Sequence, residues 1–396
     1  MKTPLFILGL IATQFFFSIC HAQQNTTTID FFGEAVQVAS TFIQREFKAS
    51  LSEESIGAFI DDMDSVALSP FLKTLLHYKE QRRPDDWLYY QAVRKVAEHI
   101  SPKAANYYRY TFYKWWFLVH SGYDAALRYS GNYLLFYVQS DEVIYNIPYR
   151  VHDRKQYICL NYHDYGTIDF EKVPFTGVAL SQPDKGKAFS YKVTRLPDFN
   201  SIDYVEKEVQ FTYFQNQYVF RIKLNPQVKT IFTNYPVVDY ELQCNMPLSN
   251  PTYQSLIPSL REATHKLTTK DGVDFLMRFT RYAFLFKPDG EVFGGEKRMS
   301  PEQTLLYEYS DCEDRAALFF YLVKEIYNLP MLVLTYPQHV TVAVKFDKGY
   351  GKTIEHNGIK YSICEPSPQK YDLSIGQLLP ELRHQAYEVA YAYKPL

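Results

Sequence analysis

The spacing of apolar residues predicts helices in the first third of the chain. Apolar positions recur every three or four residues in four segments, residues 32–47, 55–79, 87–99 and 104–129. This period places the apolar side chains on one face of an α-helix. Pro84 and Pro102 lie between segments, and Pro70 interrupts the second one. We therefore predict a helical domain over residues 30–130.

The pattern changes at Tyr133 to short runs of β-branched and aromatic residues. Such runs, separated by turn residues, are typical of strands. They cover residues 133–138, 143–149, 157–162, 209–214, 218–224 and 237–242. We predict a β-rich, sandwich-like domain over residues 131–250. A second helical stretch, 256–286, leads into a mixed C-terminal domain over residues 251–396, and the predicted fold class is α+β.

Composition is that of a globular protein. The 396 residues are 46% hydrophobic and 22% charged, and the formal net charge is −2. Disorder of the whole chain is thereby excluded. A balanced charge gives no general attraction to nucleic acid or to an anionic membrane, so no nucleic-acid partner is predicted.

The first 22 residues resemble an export signal. Lys2 precedes an apolar stretch over residues 5–17, and Ala22 ends the segment on a small residue. A lipid anchor at Cys20 is the less favoured alternative, because Ile19 stands where a small residue is normal. No other stretch approaches the roughly 20 apolar residues of a membrane span. We expect an exported protein, periplasmic or secreted, with no transmembrane segment.

Export would leave four cysteines, too few for a disulfide framework in a chain of this length. Cys159 and Cys244 lie on or beside predicted strands, where they either pair as a disulfide or remain core thiols. The aromatic segment 107–116 is interpreted as a helix–sheet interface in preference to a platform that stacks sugars or a partner.

Cys312 lies where the sequence predicts a helix to begin. Ser310 and Glu313 have the spacing of a capping box, which would start the helix at Asp311. The exposed amides and dipole at a helix N-terminus favour a thiolate. The acidic neighbours at 311, 313 and 314 oppose that effect, so the thiol needs a cationic partner. Asp314 and Arg315 are more simply interpreted as members of ion pairs on the helix surface.

A histidine and a carboxylate follow on neighbouring predicted strands. His339 begins the alternating run 339–344, and Asn357-Gly358 is a strong hairpin signal before a strand that delivers Glu365. Alternation sends Cys364 to the opposite face, which makes it a poor candidate for the reacting thiol. These residue types suit nucleophilic catalysis: His339 would accept the proton of Cys312, and Glu365 would orient the ring.

These residues resemble the catalytic core of the transglutaminase-like superfamily, which has a papain-like fold. The resemblance covers roughly residues 274–376 and rests on Asp311-Cys312-Glu313-Asp314-Arg315-Ala316, the strand with His339, and Cys364-Glu365-Pro366-Ser367-Pro368. Residues 293–305 are similar to exported bacterial envelope proteins that carry this domain at the C-terminus. The resemblance implies a triad of Cys312, His339 and Glu365. Glu365 departs from the Asp of many relatives.

Two functions are compatible with these residues. The first is a cysteine-dependent hydrolase or acyltransferase that acts on an amide or peptide bond of an envelope protein or peptide. The alternative is a catalytically inactive envelope binding or assembly module. Metal-binding and phosphate-binding motifs are not found, so no cofactor and no metal are predicted. The Cys312 amide would be one oxyanion donor, and Gln303, Tyr307 and Tyr309 are candidates for a second.

Overall fold

A computed structural model describes residues 26–40, 46–65, 68–179 and 186–395. The predicted export signal and Cys20 lie outside these residues. The described chain is a mixture of helices and strands, as the predicted α+β class requires.

A β-hairpin and four helices come first. The elements are β1 (Thr26–Phe31), β2 (Glu34–Ala39), α1 (Glu53–Ser65), α2 (Ser69–Arg82), α3 (Asp86–Ile100) and α4 (Tyr107–His120). The helix predicted from residue 32 is wrong, because 34–39 alternate with a period of two and pair with β1. Phe32 and Gly33 have positive φ, and the Gly33 amide donates to Asp30 Oδ1 at 2.7 Å, which closes the hairpin turn.

The helix predicted over 104–129 ends earlier, at His120. Gly122 has a φ of 90°, a left-handed conformation that glycine adopts easily, and a strand begins at Ala125. The aromatic side chains of α4 are buried between α3 and the sheet, as the interface interpretation predicts: Tyr110, Phe112, Tyr113, Trp115 and Trp116.

The first large sheet has the strand order β6-β7-β4-β3-β8 and is antiparallel throughout. Its strands are β3 (Ala125–Ser130), β4 (Tyr133–Gln139), β6 (Tyr149–His152), β7 (Lys155–Cys159) and β8 (Thr176–Gly177). The short β5 (Ile144–Tyr145) lies outside it and pairs with a later strand.

A long hairpin and two short helices follow. The elements are β9 (Val205–Tyr213), β10 (Asn216–Leu224), α5 (Gln227–Ile231), β11 (Val237–Val238) and α6 (Tyr240–Cys244). The strand predicted over 237–242 is only two residues long. Asp239 ends it by capping α6, with Oδ1 accepting from the Leu242 amide at 2.8 Å.

The C-terminal part begins with helices and ends in a sheet. Its helices are α7 (Asn250–Thr264), α8 (Thr269–Tyr282), α9 (Asp289–Val292), α10 (Pro301–Leu306) and α11 (Cys312–Tyr327). Its strands are β12 (Leu285–Phe286), β13 (Tyr309–Ser310), β14 (Met331–Tyr336), β15 (His339–Val344), β16 (Thr353–His356), β17 (Ile359–Cys364) and β18 (Glu388–Tyr393).

The second large sheet places α11 against its central strands. Its order is β16-β17-β15-β14-β18, again antiparallel. Ala316, Phe319 and Val323 on α11 are fully buried in one apolar cluster with Val342 and Val344 of β15. This packing therefore fixes the position of β15, which begins at His339, relative to α11.

The apolar clusters do not follow the boundaries predicted at residues 130 and 250. One cluster joins α3 and α4 to β3 and β4, and it also contains Val228, Ile231 and Met246. The β9–β10 hairpin instead packs on the C-terminal helices, where Phe211 contacts Phe275 and Phe279 with ring centroids 5.0 and 5.6 Å apart.

The four cysteines of the described chain are free thiols. Cys159 and Cys244 are buried in different apolar clusters, so the disulfide alternative is wrong and both are core thiols. Within the same residues, none of the helices has the length and apolar character that crossing a bilayer requires.

Candidate active site

Cys312 is the first residue of α11. The cap is Asp311, not Ser310: the Asp311 amide donates to Asp314 Oδ2 at 3.4 Å in a capping box one residue later than predicted. Ser310 is unavailable as a cap because it pairs in β13 and its hydroxyl accepts from Arg315 Nε at 3.1 Å. The Cys312 amide lies in the first turn, where helix amides have no intrahelical acceptor.

Arg315 anchors the start of α11 to the end of α8. The predicted surface ion pair is wrong, because Arg315 and Asp314 are both fully buried. The Arg315 guanidinium donates to the carbonyls of Thr280, Arg281 and Phe284 at 3.2, 2.7 and 2.9 Å. Burial lowers the pKa of Arg315 to about 10.

His339 and Glu365 form a hydrogen-bonded pair, as the triad hypothesis requires of these two residues. Nε2 of His339 lies 2.8 Å from Oε2 of Glu365, and Glu365 is 2% exposed. The bond occupies Nε2 and leaves Nδ1 as the ring nitrogen for a second partner. Burial alone would lower the pKa of His339, but the hydrogen bond and charge of Glu365 raise it overall.

Glu365 is held through both its side chain and its main chain. Its Oε1 accepts from the Ser367 amide at 2.9 Å. Its main-chain carbonyl accepts from Arg281 Nε and Nη2 at 3.1 and 2.5 Å, and Asp372 binds Arg281 Nη1 at 2.8 Å. The longer glutamate is therefore accommodated with its acid group fixed toward the ring of His339.

The Cys312 thiol is bound to a carboxylate in this structure. Its Sγ donates to Glu313 Oε2 at 2.8 Å, and no hydrogen bond joins it to His339 among the described residues. Burial first, and then the charge of Glu313, raise the pKa of the thiol well above its usual range, although the main chain of Val340 favours the thiolate. Val340 directly follows His339, so the sulfur lies beside the strand that carries the imidazole.

The other sequence candidates have structural roles. Cys364 is buried in the apolar cluster of α11, and burial raises the pKa of its thiol well above the usual range. Gln303 completes a capping box with Ser300 at the start of α10. Tyr307 OH accepts from Lys297 Nζ at 3.3 Å, and Lys287 Nζ lies 5.4 Å from the centre of the Tyr309 ring. No second oxyanion donor is assigned.

Three carboxylates near the start of α11 were not anticipated as a group. One oxygen each from Asp289, Asp311 and Asp314 lies within 4.8 Å of the others. Burial and the neighbouring charges raise the pKa of Asp311 to about 9 and that of Asp289 to about 6. These are the residues of the described chain whose ligand atoms are close enough together to hold a metal ion.

Comparisons with known proteins return no relative. No family model matches the chain, and neither the curated proteins nor the solved structures contain a significant match.

The Glu365 hydrogen bond predicts the direction in which His339 titrates. We expect Glu365→Gln to move the pKa of His339 from above its ordinary value of about 6.5 to below it. The reason is that burial lowers this pKa, and the charge of Glu365, which raises it, is then absent. In the wild type, the interaction that raises the pKa of His339 contributes its full stabilisation at pH values below the pKa of this histidine in the unfolded chain. The stabilisation is lost as the pH rises through the pKa of His339 in the folded protein. Histidine-ring NMR, assigned with His339→Gln, measures the change; an unaltered pKa in Glu365→Gln would contradict it.

Proposed function

We propose that the protein is an exported cysteine-dependent hydrolase or acyltransferase of transglutaminase-like, papain-like fold. Its substrate would be an amide or peptide bond in a protein or peptide of the cell envelope. Cys312, His339 and Glu365 are the proposed triad. The observation that carries the proposal is the His339–Glu365 pair, which leaves Nδ1 available on the strand next to the sulfur of Cys312.

The proposed chemistry needs one rearrangement of a hydrogen bond. Cys312 Sγ leaves Glu313 and transfers its proton to Nδ1 of His339, and Glu365 stabilises the imidazolium. The thiolate attacks the substrate carbonyl, and His339 protonates the departing amine as the C–N bond breaks. Water or an amine then attacks the thioester and releases Cys312. The Cys312 amide would donate a hydrogen bond to the oxyanion.

One observation favours the second candidate, a catalytically inactive binding or assembly module. The thiol of Cys312 is bound to Glu313, and the surrounding carboxylates disfavour the thiolate that the chemistry needs. A chain that had lost catalysis would be free to keep this arrangement.

Product analysis tests the proposal and separates the two candidates. The purified protein, Cys312→Ala and Cys312→Ser would each be incubated with envelope proteins, and the products analysed by mass spectrometry. We expect new peptide termini, or new isopeptide bonds, with the wild type only. Equal products from Cys312→Ala would refute the proposal. A folded wild type that yields neither product would favour the binding module.

A further inference from the structure

One face of the first large sheet contains a small cavity. The other face is apolar, and its Leu127, Phe136 and Ile158 belong to the same buried cluster as α3 and α4. Residues that alternate with these along the strands line a cavity of about 240 Å³: Ala126, Arg128, Tyr137, Arg150, Tyr157 and Gly177. The cavity therefore lies on the side of the sheet that faces away from the helices.

Small residues leave room for this cavity beside two buried rings. Tyr137 and Tyr157 are 5% and 6% exposed. Ala126 lies opposite Tyr137, and Gly177 lies opposite Arg128 in the sheet register. A Cβ atom at Gly177 would have no heavy atom within 4 Å, so the space beside it is open. The cavity is smaller than the roughly 300–1,000 Å³ of most ligand pockets, so it suits a small molecule or the end of a chain.

Two guanidinium groups at the cavity have no acidic partner. Arg128 donates from Nη2 to the Phe175 carbonyl, but its Nε is buried with no acceptor among the described residues. In the same part of the chain, no hydrogen bond or ion pair occupies the half-buried guanidinium of Arg150. A buried donor on a charged group costs free energy when it has no partner. The cavity therefore combines positive charge with unused donors.

The acidic residues near these arginines do not neutralise them. Asp124 accepts from Lys155 Nζ at 2.7 Å and from the Tyr157 hydroxyl at 3.1 Å, so its charge is already paired. Asp153 is an exposed turn residue whose carboxylate lies 3.5 Å from Nε2 of His152. The fixed negative charge of Asp124 disfavours a bound dianion more than a bound monoanion. The two arginines therefore suit a singly charged acid.

We propose that this cavity binds a carboxylate attached to a small apolar body. The planar guanidinium of an arginine donates two parallel hydrogen bonds to a carboxylate. Nε of Arg128 and the free donors of Arg150 would bind the carboxylate oxygens, and the two tyrosine rings would contact the apolar body. Both a free small acid and the C-terminal residue of a peptide have this chemistry. The site goes beyond the proposed function, since no member of the proposed triad lines the cavity.

Calorimetric titration of the full chain at neutral pH tests this site without any enzymatic assay. The probes are N-acetyl-L-phenylalanine, the corresponding amide, benzoate and inorganic phosphate. We expect one carboxylate to bind per chain, and no binding of the amide, which has the same body without the charge. Tighter binding of N-acetyl-L-phenylalanine than of benzoate would identify a peptide end, and the reverse order a free small acid. Phosphate should bind more weakly than both.

Three variants locate the binding. Arg150→Gln should weaken the tighter carboxylate by at least about tenfold, since it removes a charged donor worth about 1.5–3 kcal/mol. Arg154→Gln removes the same charge from the exposed turn of the same hairpin, and this matched control should bind as the wild type does. Gly177→Val fills open space in the cavity, so it should fold and bind more weakly.

Several results would overturn the proposal. They are no binding of either carboxylate, equal binding of the amide, tighter binding of phosphate, and an unchanged affinity in Arg150→Gln. An equal loss in Arg154→Gln and Arg150→Gln would also overturn it, because general electrostatic attraction would then explain the binding. All of these measurements are independent of whether Cys312 is catalytic.

Discussion

Replacement of His339 by alanine is expected to slow acyl transfer by about 10²- to 10⁴-fold, the usual contribution of a general base. The structure gives this variant a large effect for a specific reason. Burial and Glu313 hold the Cys312 thiol in its neutral form, so without an imidazole nothing in the proposed triad takes the proton. Covalent labelling of Cys312 by a peptide-based electrophile at neutral pH measures the loss without knowledge of the natural substrate.

Controls separate this role from a structural one. His384 is an exposed histidine, and His384→Ala should label at the wild-type rate. Glu365→Gln should be intermediate, because it keeps the ring of His339 near the site but removes the charge that stabilises the imidazolium. If Cys312 in folded His339→Ala labels as fast as in the wild type, the proposed triad is wrong.

The sequence predicts the C-terminal sheet better than the N-terminal region. The strand 339–344 and the Asn357-Gly358 hairpin were located correctly, because period-two alternation and a left-handed turn pair are strong local signals. Residues 34–39 were misassigned because a six-residue strand contains too few positions to separate a period of two from a helical one. The grouping of the β9–β10 hairpin with the C-terminal helices depends on long-range packing, which no local pattern encodes.

In the candidate site, too, local sequence patterns predict some features, and the contacts made by folding determine the others. Cys312 at a helix start and His339 at a strand start follow from cap and alternation patterns. The Glu313 hydrogen bond does not, because a residue adjacent to Cys312 on a helix is expected to point elsewhere. The sequence also does not predict the positions of Asp289 and Arg281, because their partners are distant in sequence and come close only in the folded chain. Asp289 lies beside Asp314, and Arg281 donates to the carbonyl of Glu365.

Arg315 is the point at which several parts of the site are held together. Arg315 is the fourth residue of α11, three positions after Cys312, and it is fully buried. Its guanidinium donates to the Arg281 carbonyl near the end of α8 and to the hydroxyl of Ser310. Residues in α8 in turn position the acid, because Arg281 binds the carbonyl of Glu365. A single side chain therefore connects the segment that carries the thiol with the segment that fixes the carboxylate.

We expect Arg315→Met to destabilise the fold by about 3 kcal/mol or more, because methionine fills similar space but leaves three buried carbonyls without their donors, at about 1 kcal/mol or more each. Urea unfolding measures the loss, and hydrogen exchange should locate it at residues 280–284 and 310–315.

Arg221→Met removes a guanidinium that is 70% exposed and paired only at the surface, so it should change stability by less than about 1 kcal/mol. Similar losses in both variants would mean that the buried anchor of Arg315 does not stabilise the site. A large loss confined to Arg315→Met would show that the position of Cys312 depends on the end of α8, and thereby on the same helix that holds Glu365.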